Sequence, residues 1–131
     1  MASNIDHVVI LGSTLTALAV ARHCRSLGLS CDLVDTTAGP ATTSAIPTVT
    51  VLAEKTDQEM VAAVMALGRN RRAAVIADSD SWLRWLMRHR SQLDSSFEVI
   101  LHSQNDALSL CLDKSRFLDW CLQSNLPAPR A

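Results

Sequence analysis

Short apolar runs alternate with stretches of helical spacing along nearly the whole chain. "HVVIL" (7–11) is β-branched and too short for a helix, so it predicts a strand. "STLTALAVARHCRSLG" follows with apolar positions at helical intervals, and Gly28 is suited to end it as the residue after the C-cap. "CDLVD" (31–35) predicts a second strand and "TVTVL" (48–52) a weaker third. They are joined by the loop "TTAGPATTSAIP" with its Gly39-Pro40 and Pro47. Thr56 and Glu59 have capping-box spacing ahead of "MVAAVMALG", a helix ending at Gly68. "AAVIA" (73–77) reads as a strand, "SWLRWLMRHRSQL" as a helix and "FEVIL" (97–101) as a strand. Ser103 with Asp106 opens a short helix near "ALSLCL", and "KSRFLDWCLQSN" is the last helix.

The strands are continuous apolar runs rather than alternating ones, as in a parallel sheet covered on both faces. Strand–helix alternation at this spacing implies βαβ units with right-handed crossovers. The expectation is an α/β fold: a Rossmann-like, open, mainly parallel sheet of about five strands with helices on both faces. Ligands of such sheets bind beyond the carboxyl ends of the strands, near the topological switch point. The residues expected there are Gly12-Ser13-Thr14, Asp35-Thr36-Thr37, Asp78-Ser79-Asp80 and His102-Ser103.

Composition narrows the function. At 131 residues, 48% hydrophobic and 19% charged, the chain has apolar material for one core. A formal net charge of −1 gives no electrostatic reason to expect nucleic acid or an anionic membrane. No apolar run approaches the ~20 residues of a membrane span. "MASNIDHVVILG" lacks the layout of a signal peptide, so the expected location is cytoplasmic. Cys24 and Cys31 are seven apart, Cys111 and Cys121 ten apart, with no C-x-x-C, so neither redox nor zinc spacing is present. Cys24 shares a helical face with Ala17, Val20, Ala21 and Leu27. Cys121 shares one with Phe117, Leu118 and Leu122. Both read as small core residues.

The first βαβ unit has the outline of a dinucleotide site, with Asp35 placed 23 residues after Gly12. The fingerprint G-x-G-x-x-G/A here becomes Gly12-Ser13-Thr14-Leu15-Thr16-Ala17. The glycine that lets the backbone approach the pyrophosphate is replaced by Thr14, which argues against tight NAD or FAD binding. "WLRWLMRHR" separates Trp82, Trp85 and Leu86 from Arg84 and Arg88, the pattern of an amphipathic helix with a solvated face. His7, His23, His89 and His102 show no ligand spacing, and no metal site or catalytic residue is assigned.

The closing segment "LCLDKSRFLDWCLQSNLPAPRA" resembles the lead into the nucleotide-binding domain of ATP-grasp ligases: a D-K-x-x-F-like start, an amphipathic helix, then L-P-x-P. The resemblance extends back through "ALGRNRRAAVIADSDSWLRWLMRHRSQLDSSFEVIL" and so covers nearly the whole chain. Its most specific part is Asp113-Lys114 through Pro129. It implies that residues 1–112 form a Rossmann-like domain preceding the ATP-grasp domain, and that 113–131 lead into an ATP-grasp domain lying beyond Ala131. That domain of the same chain would be the partner, and would bring ATP and magnesium, neither held by this segment alone.

The implied chemistry is activation of a small-molecule carboxylate as an acyl phosphate, followed by attack of an amine or another nucleophile, in a site that excludes water. The first domain would form one wall of that site and be inactive alone. Gly12, Ser13 and Thr14, at a helix N-terminus, are placed to hydrogen-bond a carboxylate or phosphate. Asp78 and Asp80 are placed to bind a substrate ammonium, with Ser79 between them as a further substrate-binding residue, against the alternative that the aspartates cap and complement the next helix. The resemblance assigns Lys114 to the nucleotide phosphates, as a compact charge on a long stem. A homodimer is compatible with it. Two other classes stay open: a flavin- or nicotinamide-binding domain of an oxidoreductase, and a non-catalytic α/β interaction module.

Overall fold

The computed structural model describes residues 4–48, 50–52, 56–100 and 103–129. His102, Leu101 and Val49, which the sequence assigned to strands or strand ends, lie outside them. The chain divides into two compact units, Met1–Ile100 and Leu101–Ala131. The division falls ahead of Asp113, where the sequence placed the start of the lead-in segment.

The first unit runs β1 (His7–Leu11), α1 (Leu15–Ser26), β2 (Ser30–Asp35), β3 (Thr50–Leu52), α2 (Asp57–Gly68), β4 (Ala73–Ala77) and α3 (Asp80–Leu93). Its sheet is parallel throughout, in the order β3-β2-β1-β4. Three full strands, β2, β1 and β4, carry it, with the three-residue β3 at one edge. The fold is therefore α/β with a parallel sheet, but with four strands among the described residues rather than about five. Of the expected fifth strand, the described residues 97–100 make one parallel bridge, Val99 to Ala74, with Val75 N–H donating to the Val99 carbonyl at 3.0 Å and Glu98 N–H to the Ala73 carbonyl at 2.9 Å. Its apolar content goes into packing instead: Phe97 is buried against the Gly68 end of α2. Glu98 pairs with Arg72 at 3.5 Å.

Strand order reverses direction at β1. From β1 the chain steps to β2 through α1; from β3 it steps back across to β4 through α2. Right-handed crossovers in opposite directions put their helices on opposite faces. Contacts agree, α1 packing on β1 and β2, and α2 on β1 and α3. On the α1 face Val8 and Ile10 meet Ala17, Ala21, Cys24, Cys31 and Leu33 in one buried cluster. Small residues on α1 let the helix lie close to the sheet. Leu27, placed by the sequence on that face, is instead the exposed C-cap, because Gly28 at φ +74° turns the chain immediately after it.

Local signals set the helix starts. Thr56 and Glu59 form the reciprocal capping box, with Thr56 N–H to Glu59 Oε2 at 2.9 Å and Glu59 N–H to Thr56 Oγ1 at 3.3 Å. Ser79 caps α3, accepting from Trp82 N–H.

Cys24 and Cys31 are buried free thiols. Burial raises both above the ordinary thiol value, and pushes Cys31 up to about 11, with Cys24 and the Asp32 carboxylate adding to the effect. A thiolate is the reactive form, so both are inert while folded. Ellman's reagent should modify exposed Cys111 at once and reach Cys24 and Cys31 only on unfolding; rapid modification of Cys31 in native protein would contradict this packing. The raised thiol also fixes a pH window. Its stabilising preference for the neutral form is complete below the ordinary value of 9.0 and is lost as pH rises towards about 11.

The second unit contains α4 (Asn105–Leu112) and α5 (Lys114–Gln123), packed on each other. The N-cap of α4 is Gln104, which makes no side-chain cap bond, rather than Ser103. Asp113 caps α5, its Oδ1 accepting from Arg116 N–H at 3.0 Å. Cys121 is buried, whereas Phe117 and Trp120 are partly exposed and Leu122 is exposed. Among the described residues no helix is long and apolar enough to cross a membrane.

Candidate functional site

The strand-order reversal puts the loops after β1 and β4 side by side, since each leads to a helix on a different face. The gap between them is where an open parallel sheet binds its ligands. Gly12 N–H continues the ladder to the Val34 carbonyl at 2.7 Å, and Asp78 N–H bonds the Leu11 carbonyl at 3.0 Å. The backbone then turns at Gly12 with φ +118°, a conformation that L side chains rarely adopt.

Into that turn goes the Asp78 carboxylate. Its Oδ2 accepts from Thr14 N–H at 3.1 Å and from Thr14 Oγ1–H at 2.7 Å. A Cβ on Gly12 would overlap this carboxyl group. The anion at the N-terminus of α1 is thus supplied by the chain itself, where the positive end of the helix dipole favours it by about 0.3–1 kcal/mol. Asp78 Oδ1 is covered and has no hydrogen-bond partner among the described residues.

Thr14 is the N-cap of α1, accepting from Ala17 N–H at 3.5 Å. Ser13 is buried and faces away from the gap: its hydroxyl donates to Asp35 Oδ2 at 2.6 Å and lies 3.0 Å from the Thr37 carbonyl. Asp35 Oδ1 accepts from Thr36 N–H at 2.7 Å. Both oxygens of the Asp35 carboxylate are therefore engaged within the fold.

A cleft of about 510 Å³ opens at these strand ends. Thr14, Asp35, Asp78, Ser79, Trp82 and Arg88 are among its lining residues. Ser79 faces it and caps α3. Asp80 is exposed in the first turn of α3 and does not line it, which fits dipole complementation. Arg88, read from the sequence as a solvated side chain, supplies the cleft's cation. Trp82 packs edge-on against Trp85 at 5.5 Å, and the Trp85 indole N–H donates to Asp57 at 3.3 Å, which ties the cleft wall to α2. Gly12, Thr14, Asp78 and Ser79 are thus gathered at one place.

Lys114 belongs to the second unit. It is exposed at the first position of α5, beside an apolar groove of about 360 Å³ lined by Phe117, Leu118, Cys121 and Pro127. The Asp113 next to it acts as a helix cap.

Sequence reasoning missed a second polar cluster, at the opposite ends of β1 and β2. His7 and Asp32, each 1% exposed, pair at 2.7 Å through Nε2 and Oδ2. Ser30 Oγ lies 2.6 Å from His7 Nδ1. The available signal was a histidine and an aspartate inside strands otherwise apolar. Among the described residues no group of three His, Cys, Asp or Glu side chains is arranged to hold a metal ion.

No family model matches the chain, and no curated protein matches it.

Proposed function

We propose that the chain is the substrate-side, Rossmann-like domain of an ATP-grasp carboxylate–amine ligase, and that its cleft holds a small molecule bearing both an ammonium and a carboxylate. The observation that carries this reading is the Asp78 carboxylate: one oxygen is anchored on Thr14, while the other is buried without a donor. An unsatisfied buried acceptor is costly, and a substrate ammonium supplies the missing hydrogen bond once the carboxylate turns towards the cleft. Arg88 on the same cleft is suited to the substrate carboxylate. The carboxylate that would be activated, and the ATP and magnesium that would activate it, belong in this reading to an ATP-grasp domain of the same protein.

A dinucleotide fits this geometry poorly. Its pyrophosphate would have to displace Asp78 from the α1 N-terminus, past Thr14 rather than a glycine. Calorimetry is the test. Free α-amino acids should bind, and their N-acetylated counterparts should bind at least about tenfold more weakly, the loss expected for one charge-assisted hydrogen bond. Asp78→Asn should remove the difference. NAD or FAD binding at micromolar affinity or tighter would overturn the reading in favour of an oxidoreductase domain.

A further inference from the structure

We infer that Ser30, His7 and Asp32 form a nucleophile–base–acid relay at the amino-terminal edge of the sheet, able to take an activated acyl group onto Ser30. The β1–β2 register creates it. His7 pairs with Ser30 across the ladder, and Asp32, two residues on, points to the same face. The imidazole therefore lies between a hydroxyl and a carboxylate, at 2.6 Å and 2.7 Å.

The proton positions follow from the donor inventory. An ionised Asp32 only accepts, so His7 Nε2 carries the hydrogen that it receives. In neutral imidazole Nδ1 is then a bare acceptor, and Ser30 donates to it. That is the tautomer in which a serine is ready for general-base activation. Ser30 is exposed, whereas His7 and Asp32 are buried, so only the nucleophile faces solvent. Ser30 has one competing acceptor, the Asp6 carbonyl at 3.3 Å, a longer contact than that to His7.

Arg71 completes the cluster. Its Nη1 lies 3.0 Å from His7 Nδ1 and 3.2 Å from Nε2, and 4.0 Å from Asp32. The half-exposed guanidinium reaches the same His7 nitrogen as the Ser30 hydroxyl, so it brings positive charge to the region in which the carbonyl oxygen of a substrate becomes an oxyanion. It also lines a polar cavity of about 400 Å³ in which Arg69, Asn70, Asp94 and Glu98 take part, a lining of both charges that suits a polar acyl group. The same charge opposes formation of an imidazolium, which Asp32 offsets. A base working against a neighbouring cation favours substrates with good leaving groups: aryl esters and thioesters rather than amides.

In the reaction Ser30 Oγ bonds to the acyl carbon while its proton passes to His7 Nδ1. The bond from that carbon to the leaving oxygen or sulfur then breaks, and the leaving atom takes the proton from Nδ1. Water repeats the sequence on the acyl-serine, releasing the acid. Asp32 is a positioning residue, acting through the tautomer of His7.

The test uses an alkyl fluorophosphonate and p-nitrophenyl acetate on the intact chain. With the phosphonate, the Ser30 oxygen bonds to phosphorus and fluoride leaves. Peptide mapping should find a single adduct at Ser30, formed at least tenfold faster than any at the exposed Ser26, and none at that site in Ser30→Ala. Arg71→Ala, a change at a half-exposed side chain, should slow the p-nitrophenol burst at least tenfold. Asp32→Asn should lower the maximal burst rate and leave the half-saturating ester concentration unchanged. Wild-type labelling decides the matter even where the Asp32 variant folds poorly. Labelling of Ser30 no faster than of Ser26 would overturn the proposal, and would make the cluster a hydrogen-bonded support for a buried histidine.

Discussion

Gly12→Ala is expected to destabilise the chain by about 3 kcal/mol, lowering the thermal midpoint by about 10 °C. Two effects add at this position. The φ of +118° is strained for alanine, and the new Cβ would overlap the Asp78 carboxyl group. Gly28 separates the two: at φ +74° a Cβ there meets nothing within 4 Å. Gly28→Ala should therefore show the backbone cost alone, about 1 kcal/mol. The excess at Gly12 reports the seat of Asp78, and removing that side chain should recover part of it, so Gly12→Ala and Asp78→Ala should be non-additive. Equal losses at Gly12 and Gly28 would mean that Asp78 does not lie over the turn.

His7→Ala should cost about 3–5 kcal/mol in urea unfolding, the range for breaking one side of a buried charge-bearing pair. The deletion removes the imidazole bonded at 2.7 Å to a carboxylate that is 1% exposed, with the Arg71 guanidinium 4.0 Å away. It also leaves a void among fully buried neighbours such as Val9. A loss below about 1 kcal/mol would show that water or Arg71 readily takes over the carboxylate.

Much of the fold was legible because the physics that buries a parallel sheet also writes its sequence. β1 is buried along its whole length and β4 over Ala73–Val75, and both read as unbroken apolar runs, whose limits the structure reproduces at His7–Leu11 and Ala73–Ala77. The capping box at Thr56 and the glycine turn at Gly28 were equally plain. The segment at 97–101 misled because apolar, β-branched residues report burial and not pairing. Phe97 is buried by α2, and among the described residues Glu98 and Val99 meet β4 through one backbone hydrogen bond each, with a single bridge at Val99.

The site was legible only in its location. Strand ends and the switch point follow from topology, so Gly12, Thr14, Asp78 and Ser79 could be grouped before any contact was seen. That Asp78 itself would occupy the helix N-terminus could not be, since it depends on one rotamer across a 64-residue separation. Nor could Ser13 be placed on the buried side, where Asp35 holds it. The His7–Asp32 pair escaped because pairing across a ladder is set by register, which the sequence of either strand alone does not carry.

On the proposed reading a small ammonium-bearing carboxylate binds in the cleft on Asp78. Backbone amide chemical-shift mapping during titration with free α-amino acids tests it most directly. The predicted result is saturable shifts centred on Gly12, Thr14, Asp78, Trp82 and Arg88, with at least about tenfold more ligand needed for N-acetylated ligands and for Asp78→Asn. Shifts centred elsewhere, or shifts at the cleft that persist undiminished in Asp78→Asn, would contradict it.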